Sequence, residues 1–172
     1  NGSIKNVLAP GYDDQRETAI ANLDDDNCAE IFIYGSLNSN NASEGHYIFA
    51  YDCNFVEKWR TMIRGNVSTS RGDPVHYGLA DFNGDGQVEL YCKDMILNAH
   101  TGAIIVNSTT DWRYLNGGPV AVDILGDLDL ELVIGCIIYK VDLVAGVLTE
   151  LMRAPDYQTR TTPNVLYRHA TS

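Results

Sequence analysis

The sequence predicts an all-β fold assembled from repeated four-stranded antiparallel units. Three observations lead there. An acidic loop motif occurs three times, runs of β-branched and aromatic residues of strand length follow each copy, and helical periodicity is almost absent. With 172 residues and a hydrophobic fraction of 45%, the chain can bury one sizeable core and reads as a single domain over 1–172. No apolar run approaches the roughly 20 residues that a membrane helix needs. The formal net charge of −11, with no basic patch, argues against a nucleic-acid partner. The carboxylates are instead concentrated in the loop motifs, where a bound cation would offset packed like charges.

The motif is clearest in the middle copy, Asp81-Phe82-Asn83-Gly84-Asp85-Gly86-Gln87-Val88-Glu89-Leu90. Oxygen-bearing side chains stand at loop positions one, three, five and nine, with glycine at six, which suits a hard cation taking six to eight oxygen ligands. The expected ligands are the Asp81, Asn83 and Asp85 side chains, the Gln87 carbonyl and Glu89, with Gly86 allowing the sharp turn. The first copy, Asn22 through Glu30, offers Asn22, Asp24, Asp26, the Cys28 carbonyl and Glu30 at the same positions. Asn27 replaces the glycine there, and asparagine tolerates the left-handed conformation. The third copy keeps Asp123, Asp127 and Glu131 but places Leu125 and Leu128 at positions three and six, so an empty loop is expected.

Each copy lies between apolar runs and is followed by further strand-like runs. These are Tyr47–Tyr51 and Val56–Met62 in the first unit, Met95–Ala99 and Ala103–Val106 in the second, and Ile137–Val141 and Val147–Leu151 in the third. The spacing from loop to third strand is equal in the second and third units. In the first it is longer, which places an insertion across Gly35–His46. The units therefore span about 12–64, 73–110 and 117–152, with 153–172 as a tail or a strand lent to a neighbour. Four antiparallel strands per unit of about 40 to 60 residues are what a β-propeller blade requires.

The loop pattern resembles the FG-GAP or VCBS-type repeat of integrin-α-like β-propellers, with its D-x-[DN]-x-D-G-x-x-[DE]-L motif, over about residues 12–152. The resemblance implies calcium-binding loops that pin one strand to the next. Closed propellers need four to eight blades, so three imply a segment of a longer chain or blades shared between subunits. The expected partners are thus remaining blades or other protein subunits, with glycans as a further possibility, and no membrane insertion.

The chain begins Asn1-Gly2-Ser3 without an initiator Met, as a processed or excised segment would. N-x-S/T sequons at Asn1, Asn41, Asn66 and Asn107 would, if used, place the protein outside the cell or on its surface. The cysteines fit an oxidising compartment. Cys28 and Cys53 flank a hairpin at mirror-related positions and are a candidate disulfide, while Cys92 in a strand and Cys136 at a turn read as small free thiols.

Catalytic patterns are weak. His46, His76, His100 and His169 are scattered with no nucleophile motif, and the carboxylate spacing is that of cation ligands rather than a glycosidase pair. Trp59, Trp112 and ten tyrosines offer either packing between blades or sugar-stacking platforms. The functional expectation is a non-enzymatic, calcium-stabilised extracellular segment for adhesion or structural assembly. The alternatives are a fragment of a rhamnogalacturonan lyase-like enzyme, since similar calcium-rich propellers occur there, and a carbohydrate-binding propeller.

Overall fold

The computed structural model describes residues 18–24, 26–36, 46–64, 76–108 and 118–154. These residues form twelve strands in three antiparallel sheets, and no helix occurs among them. The first sheet is a meander of β1 (Thr18–Ala21), β2 (Glu30–Ser36), β3 (His46–Tyr51) and β4 (Glu57–Arg64). The second runs β5 (Tyr77–Ala80), β6 (Glu89–Cys92), β7 (Met95–Asn98) and β8 (Ile104–Asn107) in the same order. The third repeats it with β9 (Val120–Val122), β10 (Glu131–Ile134), β11 (Ile137–Asp142) and β12 (Val147–Arg153). Each acidic loop thus joins the first strand of its sheet to the second, with its position-nine glutamate opening that second strand.

The sheets stack face to face, with the second sandwiched between the others. Phe32, Ile48 and Ala50 of the first sheet pack against Leu90, Cys92 and Leu97 of the second. On the opposite face, Tyr91, Ile96 and Val106 of the second sheet pack against Leu132, Ile134, Ile137 and Tyr139 of the third. Alternation along β6 and β7 therefore feeds two cores at once, which explains why Leu90–Cys92 and Met95–Leu97 are apolar on both faces.

The seams between sheets repeat as well. The β7–β8 turn of the second sheet seats Gly102 against Trp59 and Thr61 of β4. Trp59 donates its indole N–H to the Ala99 carbonyl at 3.2 Å, and Thr61 donates its hydroxyl to the Gly102 carbonyl at 2.6 Å. In the third sheet the corresponding turn brings Gly146 against the Ile105 carbonyl of β8. Tyr77 further ties β5 to β2 by donating to the Phe32 carbonyl at 2.8 Å. Trp59 thus packs between sheets, while Trp112 lies outside the described residues.

The longer first unit has a plain explanation. Gly35, Ser36 and His46 are strand residues, with Ser36 paired to His46, so the first hairpin has longer arms and only 37–45 of the expected insertion lie outside the described residues. The segment 155–172 and the sequons at Asn1, Asn41 and Asn66 also lie outside them. Asn107 is the exposed last residue of β8, paired with Met95.

Candidate functional site

The three acidic loops share one device that the ligand pattern conceals. In each, the position-nine glutamate is buried, at 2% exposure for Glu30, 3% for Glu89 and 1% for Glu131. In each, its Oε2 accepts a hydrogen bond from the backbone N–H at loop position two: Leu23 at 3.1 Å, Phe82 at 3.0 Å and Ile124 at 2.8 Å. The glutamate therefore clamps the end of the loop back onto its start. A buried carboxylate needs such partners because desolvation penalises an unpaired charge. Sequence reasoning cast Glu30 and Glu89 as cation ligands and Glu131 as part of an empty loop, and missed the clamp, because a ligand and a backbone acceptor ask for the same carboxylate.

The middle loop is built on left-handed turns. Gly84 and Gly86 have φ of 68° and 86°, with nothing crowding either position. Asp81 accepts from the Asp85 N–H at 3.1 Å and from the Gly86 N–H at 2.8 Å, and Asp85 accepts from the Gln87 N–H at 2.7 Å. The Asn83 side-chain amide donates to Asp85 Oδ2 at 3.0 Å. These oxygens wrap the loop's own amides, and among the described residues no three His, Cys, Asp or Glu side chains converge as a ready-made metal cluster. The donor set nevertheless fits a hard cation. Burial, and then the charges of Asp85 and Asp81, push the Glu89 carboxyl above its ordinary value, although the Phe82 N–H pulls the other way. A positive ion would relieve that like-charge crowding. Asp85 itself is held below the usual carboxylate range by the Gln87 N–H and the Asn83 amide.

The third loop keeps the backbone of the middle one. Gly126 at position four has φ of 75° and Leu128 at position six has φ of 77°. Leu128 N–H donates to Asp123 Oδ2 at 3.3 Å, as Gly86 N–H does to Asp81. The loop shape survives although the side chains at positions three and six are apolar.

The first loop departs from both. Asn27 is not among the left-handed residues, so it does not play the part of Gly86. The Asn22 side-chain amide donates to the Asp26 carbonyl at 2.7 Å. Cys28 is joined to Cys53 in a disulfide with Cα atoms 5.5 Å apart, which ties the loop's end to the β3–β4 turn. Lys58 reaches in from β4 and donates to Glu30 Oε1 at 2.8 Å and to Asp24 Oδ2 at 3.4 Å. The Glu30 hydrogen bond, above all, raises the Lys58 pKa.

The remaining candidates fall elsewhere. His46 stacks on Tyr34 with ring centroids 5.4 Å apart, His100 is exposed on the β7–β8 turn, and His76 is half-buried just before β5. His169 lies outside the described residues. A shallow cleft beside the middle loop is lined by Leu23, Gln87, Val88, Asn98 and His100. The Asn98 oxygen in it already accepts from the His100 and Thr101 N–H groups, at 3.1 and 2.9 Å. Phe49 and Tyr51 are buried at 2% and 7% exposure, so neither offers an open stacking face.

No protein-family model matches this sequence, and no curated protein matches it. Among solved structures, the chain is similar to the crystal structure of the V. cholerae biofilm matrix protein Bap1. The similarity covers 80% of this chain at a TM-score of 0.56 and 25% sequence identity. The matched region spans 19% of the Bap1 chain.

Proposed function

We propose that this chain is a non-enzymatic β-propeller segment of an extracellular or cell-surface assembly, stabilised by calcium at the middle loop and working in adhesion or as structural matrix. The observation that carries the reading is the repeated unit itself. Three sheets carry the same loop at the same corner, and each later sheet seats a glycine turn on the fourth strand of the one before. That arrangement suits blades of an FG-GAP or VCBS-type propeller. The similarity to a biofilm matrix protein supports the matrix role and the extracellular location.

Further blades are the partners this reading requires. Register places Val120, Val133, Ile138 and Met152 in one row across the face of the third sheet that points away from the second. Val120 and Met152 there are 53% and 62% exposed. An apolar row of this kind is what the next blade of the parent protein would cover.

In the middle loop, Asp81, Asn83, Asp85 and Glu89 with the Gln87 carbonyl would hold the ion, whose binding contributes folding free energy directly. The test is thermal unfolding of the full chain in EDTA and in millimolar calcium, beside an Asp81→Asn/Asp85→Asn variant. Calcium should raise the parent's melting temperature and leave the variant's unmoved. An identical melt of the parent in both buffers would remove calcium from the reading. Cleavage of pectic polysaccharide by the purified protein would replace the structural role with a lyase.

A further inference from the structure

The first acidic loop already contains a positive charge, delivered by a recurrent irregularity in the sheets. In β4 the register jumps between Ala50, paired with Trp59, and Tyr51, paired with Glu57, so that Lys58 is the bulged residue. The second and third sheets bulge at the corresponding place, leaving out Ile105 between Val106 and Ile104 and Leu151 between Met152 and Glu150. A bulge re-aims the side chain it carries. Of the residues at this shared bulge, Lys58 alone is cationic, and it is aimed at the loop.

What the ammonium meets there is the outer oxygen of the clamp. Glu30 Oε2 closes the loop onto Leu23, and Oε1 receives Lys58 Nζ at 2.8 Å, with Asp24 Oδ2 at 3.4 Å on the other side. In the third loop, where leucine occupies the bulge, the matching Glu131 Oε1 is buried with no hydrogen-bond partner among the described residues. Lys58 therefore supplies at Glu30 Oε1 the partner that Glu131 Oε1 lacks among the described residues. A divalent ion drawn to Asp24 and Glu30 would have to share their oxygens with a like-charged ammonium already seated on both.

We propose that Lys58 is the resident cation of the first loop. This loop is closed by an ammonium and the Cys28–Cys53 disulfide rather than by a metal, and the chain's response to divalent cations is confined to the middle loop. The second half of that statement rests on the calcium reading above, while the first half does not.

Counting bound ions on the full chain tests it, by calorimetric titration with calcium and by terbium(III) luminescence. The parent should bind one ion, lost in Asp81→Asn/Asp85→Asn and retained in Asp24→Asn/Asp26→Asn. Lys58→Gln, with its disulfide verified by intact mass and its fold by circular dichroism, should bind one ion more than the parent. It should also show a larger calcium-dependent rise in melting temperature. A parent that binds nothing, beside a Lys58→Gln variant that binds one ion, would sink the middle-loop reading and uphold the resident lysine. Lys58→Gln binding no more than the parent would overturn the proposal. So would a parent that loses an ion on Asp24→Asn/Asp26→Asn, an arm that holds even if the lysine variant folds poorly.

Discussion

Gly102 lies directly beneath the indole of Trp59, so closely that a Cβ at position 102 would stand 2.5 Å from the ring. The glycine also has φ of 73°, a conformation that other residues adopt at a cost. Two independent constraints thus meet at one residue of the seam between the first two sheets. Gly102→Ala should lower stability by roughly 2–4 kcal/mol, from left-handed strain together with overpacking against the indole. Urea unfolding followed by tryptophan fluorescence would measure it. A loss near zero would mean the seam yields freely and does not fix how the sheets meet.

The Cys28–Cys53 bridge closes a loop with a sequence separation of 25 and fastens the first acidic loop to the β3–β4 turn. Loop-closure entropy puts its contribution at about 3–4 kcal/mol. A Cys28→Ser/Cys53→Ser variant should therefore unfold at clearly lower denaturant concentration than the parent, and reductant should shift the parent towards the variant. If the two proteins unfold together without reductant, the bridge adds nothing to stability.

Leu128 presents the opposite case, a residue that resists the place the fold gives it. It is 83% exposed, so its side chain gains little from packing, and it sits at φ of 77° only because the loop backbone follows the same path as the middle copy. Leu128→Gly removes that strain at the cost of some chain entropy, and stability should rise by about 0.5–1 kcal/mol. Comparing the denaturation midpoints of the two proteins decides it. A less stable glycine variant would show that Leu128 makes a contact worth more than its strain.

The sheets were legible in the sequence because β-branched and aromatic runs such as Ile31–Tyr34 and Met95–Leu97 leave little room for a helix, and Asn/Asp/Gly loops punctuate them. Which face of a strand meets which core was not legible for β6 and β7. Both of their faces are buried, so alternation carries no contrast there. The loop residues were located by their spacing, yet the clamp was hidden because a ligand and a backbone acceptor ask for the same carboxylate. Lys58 gave no signal at all. It is 28 residues from Glu30 and reaches it through a bulge whose position depends on strand register. Leu128 bore on cation binding rather than on loop shape, and the hydrogen bond from its N–H to Asp123 holds the left-handed turn although leucine itself disfavours it.

Glu89 should reveal its environment through pH. Burial first, then the Asp85 and Asp81 charges, raise its folded pKa above the unfolded value of 4.5. Its favourable contribution is thus fully present below pH 4.5 and is lost as pH rises through the raised folded value. Glu89→Gln keeps an oxygen for the Phe82 N–H and abolishes the titration. In EDTA, the stability difference between variant and parent should move in the variant's favour between about pH 4 and pH 7. Calcium should reverse the sign near neutrality, because the ion binds the ionised carboxylate and has no such partner in the amide. Urea unfolding of both proteins across this range, with and without calcium, checks both halves. Parallel pH profiles in EDTA would show that Glu89 ionises without penalty, and the crowded carboxylates of the middle loop would then supply no drive towards a cation.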